Sequence, residues 1–184
     1  DQDDFSTTVT VHPTASVNFT ATAADRCVST TQSFTDLTSI GGGSTITDFE
    51  WDFGDGTIVN SATSTNPTHD YAAAGTYTVT LTATTNKACE GSLSKQVTIQ
   101  PDPVADFTFP GDVCLGESIV FTNNSSIASG NVTYTWDFDD GSPASSQISP
   151  THTFASAGVY DVSLLVTSVT GGCTDLITQE VEVF

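Results

Sequence analysis

Trp51-Asp-Phe-Gly-Asp-Gly56 recurs as Trp136-Asp-Phe-Asp-Asp-Gly141, and no other feature of this chain limits its fold as strongly. The recurrence extends well past one motif. Asn66-Pro-Thr-His-Asp-Tyr71 returns as Ser149-Pro-Thr-His-Thr-Phe154, and Ala74-Gly-Thr-Tyr-Thr-Val-Thr-Leu81 returns as Ala157-Gly-Val-Tyr-Asp-Val-Ser-Leu164. The offset drifts from 88 at Phe19 and Phe107 to 85 at the tryptophans and 83 at Pro-Thr-His, as small insertions between strands produce. Self-similarity over this period means two homologous domains, 13–100 and 101–184, each the size of one small sandwich. A third trace stands at the start, where Val9-Thr-Val-His-Pro13 matches Val97-Thr-Ile-Gln-Pro101. Residues 1–12 are therefore expected to be the last strand or linker remnant of a preceding copy.

Within each copy the apolar residues alternate with a period of two, the pattern of half-buried strands. Tyr77, Val79, Leu81 and Ala83 fall on one face and threonines on the other; Tyr160, Val162, Leu164 and Val166 repeat this. Phe49, Trp51 and Phe53 share a face, as do Tyr134, Trp136 and Phe138, while Asp48, Glu50 and Asp52 point the other way. The single Ala cluster, 72–74, is cut by Gly75 and is too short to nucleate a helix. The expected class is all-β: two tandem antiparallel sandwiches, each centred on a tryptophan.

The acidic motif admits three readings. A kinase-type D-F-G would also need a glycine-rich phosphate loop, a strand lysine and an H-R-D loop, none of which occurs, and Asp139 breaks the triplet in the second copy. A calcium loop of EF-hand type needs a ladder of oxygen ligands ending in Glu, which does not follow Asp52 and Asp55. What is left is a tight turn: Asp55-Gly56 and Asp140-Gly141 are favoured turn pairs. Aspartate at 139 in place of Gly54 also suits one, because Asp tolerates a left-handed backbone. His69 and His152 hold matching places and are expected to be structural, each ring bonding backbone or a hairpin carboxylate. No nucleophile–base–orienter set emerges from the spacing, so the chain is read as a non-enzyme.

The four cysteines allow three pairings. Each copy carries one near its second strand and one after its sixth, so Cys27–Cys89 and Cys114–Cys173 are the expected disulfides. Zinc is the rival reading, but C-x-x-C spacing is absent. Disulfides place the protein outside the reducing cytosol.

Arg26, Lys87 and Lys95 face 22 acidic side chains, a formal charge of -19. Nucleic acid and anionic membranes are disfavoured partners, since both are bound through Lys and Arg. An acidic coat also keeps copies apart, so a monomer is expected. No apolar run approaches the ~18 residues that cross a bilayer, and the chain starts with no signal-peptide pattern, as in a soluble, mature piece.

Taken together, W-D-F-G-D-G, N-P-T-H-x-Y and A-G-T-Y-T-V-T-L resemble the polycystic kidney disease (PKD) domain, in two copies over nearly the whole chain. The motif residues are Trp51, Asp52, Asp55, Gly56, His69 and Tyr77, with Trp136, Asp137, Asp140, Gly141, His152 and Tyr160 in the second copy. Asp139 and Phe154, which stands for the usual Tyr, are mild departures. The resemblance implies an immunoglobulin-like sandwich of the kind found in the ectodomain of polycystin and in bacterial and archaeal surface or secreted proteins. There it serves as spacer, adhesin stalk or accessory domain beside proteases and chitinases. It implies neighbouring repeats as partners, an extracellular or cell-surface location, and an extracellular protein or glycan as candidate ligand. Some collagenase-linked members bind calcium through aspartates before the Trp strand. The matching stretches, 38–44 and 123–130, lack them, so no cofactor is assigned and Ca2+ is left to junction acids such as Asp102 and Asp106.

Overall fold

The computed structural model describes residues 11–21, 26–63 and 66–184. The proposed remnant 1–12 lies almost wholly outside these residues. Among the described residues all regular structure is strand, and the contacts divide the chain into two compact units.

The first unit holds β1 (Phe19–Ala21), β2 (Gln32–Asp36), β3 (Ile46–Asp52), β4 (Ile58–Ser61), β5 (Thr68–His69), β6 (Gly75–Thr85) and β7 (Glu90–Ile99). They form a β1-β2-β5 sheet and a β4-β3-β6-β7 sheet. The long strands form where β-branched and aromatic residues alternate with threonine, which suits a pleated surface with one face buried. In β6, Val79, Leu81 and Ala83 are buried while the intervening threonines reach solvent. The sheets close on one another through aromatic rings. Phe19 meets Trp51 edge-on at 5.1 Å between centroids, and Phe34 touches both Trp51 (5.7 Å) and Phe53 (5.2 Å). Trp51 itself has no exposed surface. Lys95 on β7 lies over the Phe19 ring and donates to the Phe19 carbonyl and to Asn18 Oδ1, so one of three basic side chains is engaged by its own module at the surface.

The second unit holds β8 (Pro103–Val104), β9 (Phe107–Thr108), β10 (Ile119–Val120), β11 (Thr122–Asn123), β12 (Ser126–Ile127), β13 (Val132–Asp137), β14 (Thr151–His152), β15 (Gly158–Ser168) and β16 (Thr174–Val183). A β13-β15-β16 sheet faces a broken one made of the pairs β8–β12, β9–β11 and β10–β14. Phe107, Phe121 and Trp136 repeat the aromatic centre, with Phe107–Trp136 at 5.0 Å. Gln179 Nε2 donates to the Phe107 carbonyl at 2.7 Å, as Lys95 does to Phe19. Each unit is thus an immunoglobulin-like antiparallel sandwich built around its tryptophan.

The expected disulfides, Cys27–Cys89 and Cys114–Cys173, are not formed. Cys27 is bonded to Cys173, with Cα atoms 5.7 Å apart, and Cys89 and Cys114 are free thiols. The physical reason lies in residues 26–30. Although they belong to the first copy by sequence, they cluster with the second unit. Val28 N–H donates to the Gln100 carbonyl and Gln100 N–H to the Arg26 carbonyl, forming a parallel bridge that ties the segment to the chain entering the second unit. Ser29 adds two bonds to the Asp102 carboxylate, from its N–H (2.7 Å) and its hydroxyl (3.1 Å). These contacts carry Cys27 to the turn between β15 and β16. Gly171 keeps that turn close, since a Cβ there would lie 2.7 Å from the Gln100 side chain.

Candidate functional site

The acidic motif builds the same small assembly twice. Asp52 Oδ1 accepts from Gly54 N–H (2.8 Å) and Asp55 Oδ1 from Thr57 N–H (2.9 Å). In the second copy Asp137 accepts from Asp139 N–H and Asp140 from Ser142 N–H, both at 3.0 Å. Such side-chain-to-backbone bonds two residues on are how Asp stabilises a turn. Gly56 and Gly141 complete it with positive φ, 96° and 76°.

The remaining oxygen of each turn aspartate meets the histidine of the Pro-Thr-His motif. His69 Nε2 lies 2.7 Å from Asp55 Oδ2, and His152 Nε2 lies 2.7 Å from Asp140 Oδ2. Each imidazole lies flat on a phenylalanine, at 4.2 Å on Phe53 and 3.9 Å on Phe138, with planes within 6°. The edge of each ring contacts Tyr71 or Phe154, which in turn stacks on Tyr77 (4.2 Å) or Tyr160 (4.3 Å). Strands β5 and β14 supply the histidines, and the turns after β3 and β13 supply the acids. A two-residue strand pairing with β2 or β10 fixes each histidine in register.

Burial pushes the Asp55 carboxyl up, but hydrogen bonds from His69 and from Thr57, with the imidazole's charge, outweigh it and hold the pKa below the usual carboxylate value. Asp140 behaves alike: burial raises it, while bonds from Ser142 and His152 bring it below. A carboxylate held ionised against an imidazole whose face is covered by a phenyl ring serves to fix the hairpin. For a catalytic base, the imidazole would have to face a reacting group in a cleft. Trp51 and Trp136 have no exposed surface, so neither offers a platform for stacking a sugar. Trp136 Nε1 donates to the Gln147 carbonyl at 2.9 Å.

Cys27, Cys173 and Asp102 also bring potential metal-binding atoms together. The two sulfurs are bonded to each other and so offer no thiolate, and the Asp102 carboxylate is engaged by Ser29. Among the described residues no helix is long and apolar enough to cross a membrane.

The family model for the PKD domain matches residues 10–101 and 100–183. The chain belongs to the PKD domain family. Human Polycystin-1 is 37% identical over 113 residues, 58% of this chain and 3% of that protein. Collagenase ColA of Bacillus cereus is 32% identical over 90 residues, covering 49% of this chain and 9% of the collagenase. A microbial collagenase of Vibrio alginolyticus is 49% identical over 59 residues, 31% of this chain and 7% of its own length. The chain thus spans under a tenth of each of these relatives. Among solved structures, the PKD1 domain of the Vibrio cholerae metalloprotease PrtV is 36% identical, with a TM-score of 0.39, covering 45% of this chain and 96% of that one.

Nothing in the spacing of the four cysteines pointed to Cys27–Cys173. The signal available was the linker. Pro101-Asp102-Pro103 is short and keeps the two copies adjacent in sequence, but the contact of Asp102 with Ser29, two residues beyond Cys27, is seen only in the structure.

Proposed function

We propose that this tandem of PKD modules is a non-catalytic spacer or stalk segment of an extracellular protein, one that bears tension. The observation that carries this reading is the use of the chemically capable residues inside the fold. Both indoles, the motif histidines His69 and His152, and the four matched turn aspartates Asp52, Asp55, Asp137 and Asp140 hold their own modules together, in duplicate. The membership of the family and its secreted and surface relatives support the extracellular location.

The disulfide gives the reading a mechanical form. Tension applied at the two ends enters at Cys27 and leaves at Cys173, so the 146 residues of sequence separation are bypassed by a covalent bond. Force spectroscopy on the chain held between handles tests this. Oxidised protein should lengthen only by residues outside the bridge, and a reductant should release about 500 Å more, at ~3.3–3.6 Å per residue. An oxidised chain that extends over its full contour overturns the reading.

A second reading, an accessory module that holds a hydrolase to its substrate, is favoured by the two collagenase relatives. Retention of the fragment on fibrillar collagen, absent on an inert protein matrix, would replace the spacer reading with this one.

A further inference from the structure

The two free thiols are not spare parts, because each stands in the frame of a cysteine that is bonded. Cys114 occupies the frame of Cys27. Around Cys27, Val28 N–H donates to the Gln100 carbonyl, Gln100 N–H to Arg26, and Thr30 N–H to the Cys27 carbonyl at 3.0 Å. Around Cys114, Leu115 N–H donates to the Phe184 carbonyl, Phe184 N–H to Val113, and Glu117 N–H to the Cys114 carbonyl at 3.1 Å. Gln100 and Phe184 are equivalent residues just after the last strand of their copies, and both cysteines lie in or beside a parallel bridge there. Cys89 in turn occupies the frame of Cys173: Thr85 N–H donates to the Cys89 carbonyl at 2.9 Å, and Ser168 N–H to the Cys173 carbonyl at 2.8 Å. The difference is exposure. Cys27 and Cys173 are buried, whereas Cys114 is exposed and Cys89 half-exposed.

We propose that Cys27–Cys173 is one rung of a repeating covalent series. In it the first cysteine of each module bonds the second cysteine of the module that follows. Cys114 is then a docking thiol for another PKD module of this cysteine pattern, and Cys89 accepts the first cysteine of one that precedes it. The frame around Cys27 shows how the link is held: backbone pairing beyond the last strand presents the thiol to the hairpin turn of the next module. Closing the rung is thiol–disulfide exchange with a small disulfide oxidant of the glutathione type. One thiolate attacks the oxidant and displaces a glutathione thiolate. The second thiolate attacks the mixed disulfide and displaces another. Two protein thiols are oxidised, and one oxidised glutathione becomes two reduced ones. This series concerns partner choice, and it stands or falls separately from the mechanical reading, which is tested on the single chain.

A second copy of this chain supplies the partner module for the test. Cys89→Ser and Cys114→Ser are incubated separately and mixed, at high protein concentration in a glutathione redox buffer. The products are then resolved on non-reducing gels and their bridges mapped by peptide mass spectrometry. The expected result is a disulfide dimer in the mixture, at least tenfold above either variant alone, with its bridge mapped to Cys114–Cys89. The wild-type chain, which has both ends, should build a ladder of multimers. The double variant Cys89→Ser/Cys114→Ser should stay monomeric and keep Cys27–Cys173, which shows that the substitutions leave the fold intact. Absence of the mixed dimer, symmetric dimers as abundant as the mixed one, or a Cys89–Cys114 bridge within one chain overturns the proposal.

Discussion

At the first acidic hairpin the chain turns through Gly54, and at the second it turns through Asp139, both in a left-handed conformation (φ 79° and 59°). The two turns solve one steric problem differently. A Cβ at Gly54 would lie 2.6 Å from the Thr78 carbonyl oxygen, so the first hairpin presses its backbone onto β6. The second hairpin admits a side chain there, and Asp139 Oδ2 accepts from Asp161 N–H at 3.2 Å, replacing backbone contact with a side-chain bond. The edge beyond each hairpin differs as well. In the first copy Ile58–Ser61 pairs with β3 over four residues. In the second, Pro143 removes a donor and a single bridge between Trp136 and Ser145 remains. Equivalent motifs therefore guarantee the same core and leave the periphery free to differ.

The largest contrast between the copies is in sulfur, and its removal should have the largest effect. Cys27→Ser or Cys173→Ser should lower stability by about 4–5 kcal/mol on the chain-entropy scale for a loop of this length. Cys89→Ser and Cys114→Ser should each stay within about 0.5 kcal/mol, as surface changes do. Denaturant titrations with and without reductant measure both. Equal losses at all four positions would mean that the pairing is mixed in solution.

The hairpins give the next effect. Gly54→Asp, which copies the second turn into the first, should cost about 2 kcal/mol or more, because the Thr78 backbone must move away. Asp139→Gly loses one hydrogen bond but relieves an unfavourable φ, so it should stay within about 1 kcal/mol. Hydrogen exchange followed by mass spectrometry reads each module separately. Similar costs for the two changes would erase the distinction between the turns.

Symmetry decides how much of this fold can be read from the sequence. Period-two alternation in 76–83 and 159–166 exposes the buried face of the long strands directly, because that face is decided locally. The tryptophan centre follows from the same pattern. The cysteine pairing does not, because a repeat makes two bonding schemes equivalent: first to second within a copy, or first to second of the next copy. Only the path of residues 26–30, fixed by Gln100 and Asp102, separates them. The choice of partner for His69 was likewise open between backbone and carboxylate. It is settled by the Asp55 turn, whose one oxygen is spent on Thr57 N–H and whose other is left aimed at the ring.

Tyrosine 71 and Phe154 offer a subtler contrast. Tyr71 Oη donates to the buried Phe53 carbonyl at 3.1 Å, a bond the second copy forgoes by having Phe at 154. Tyr71→Phe should destabilise the first module by about 1–2 kcal/mol, the cost of an unmet buried acceptor. Phe154→Tyr should gain less than about 1 kcal/mol, and a gain as large as the first loss would show that the two pockets are the same.

The smallest effect concerns acid. Asp55 and Asp140 have pKa values below the unfolded carboxylate value of about 3.9, so the folded state binds fewer protons than the unfolded one. Their contribution is therefore complete above that value and fades as pH falls through the lowered folded pKa, which places the window below about pH 4. Asp55→Asn and Asp140→Asn keep an oxygen for the Thr57 or Ser142 N–H but lose the charge, so each module should lose about 0.5–1.5 kcal/mol at neutral pH and become less sensitive to acid. The Asp140 side chain is the less exposed of the two, 11% against 20%, and its imidazole sits closer to its phenyl ring. The second module should therefore show the larger change. A pH titration of stability in which both variants keep the wild-type acid slope would mean that these carboxylates are not what the hairpins lose on acidification.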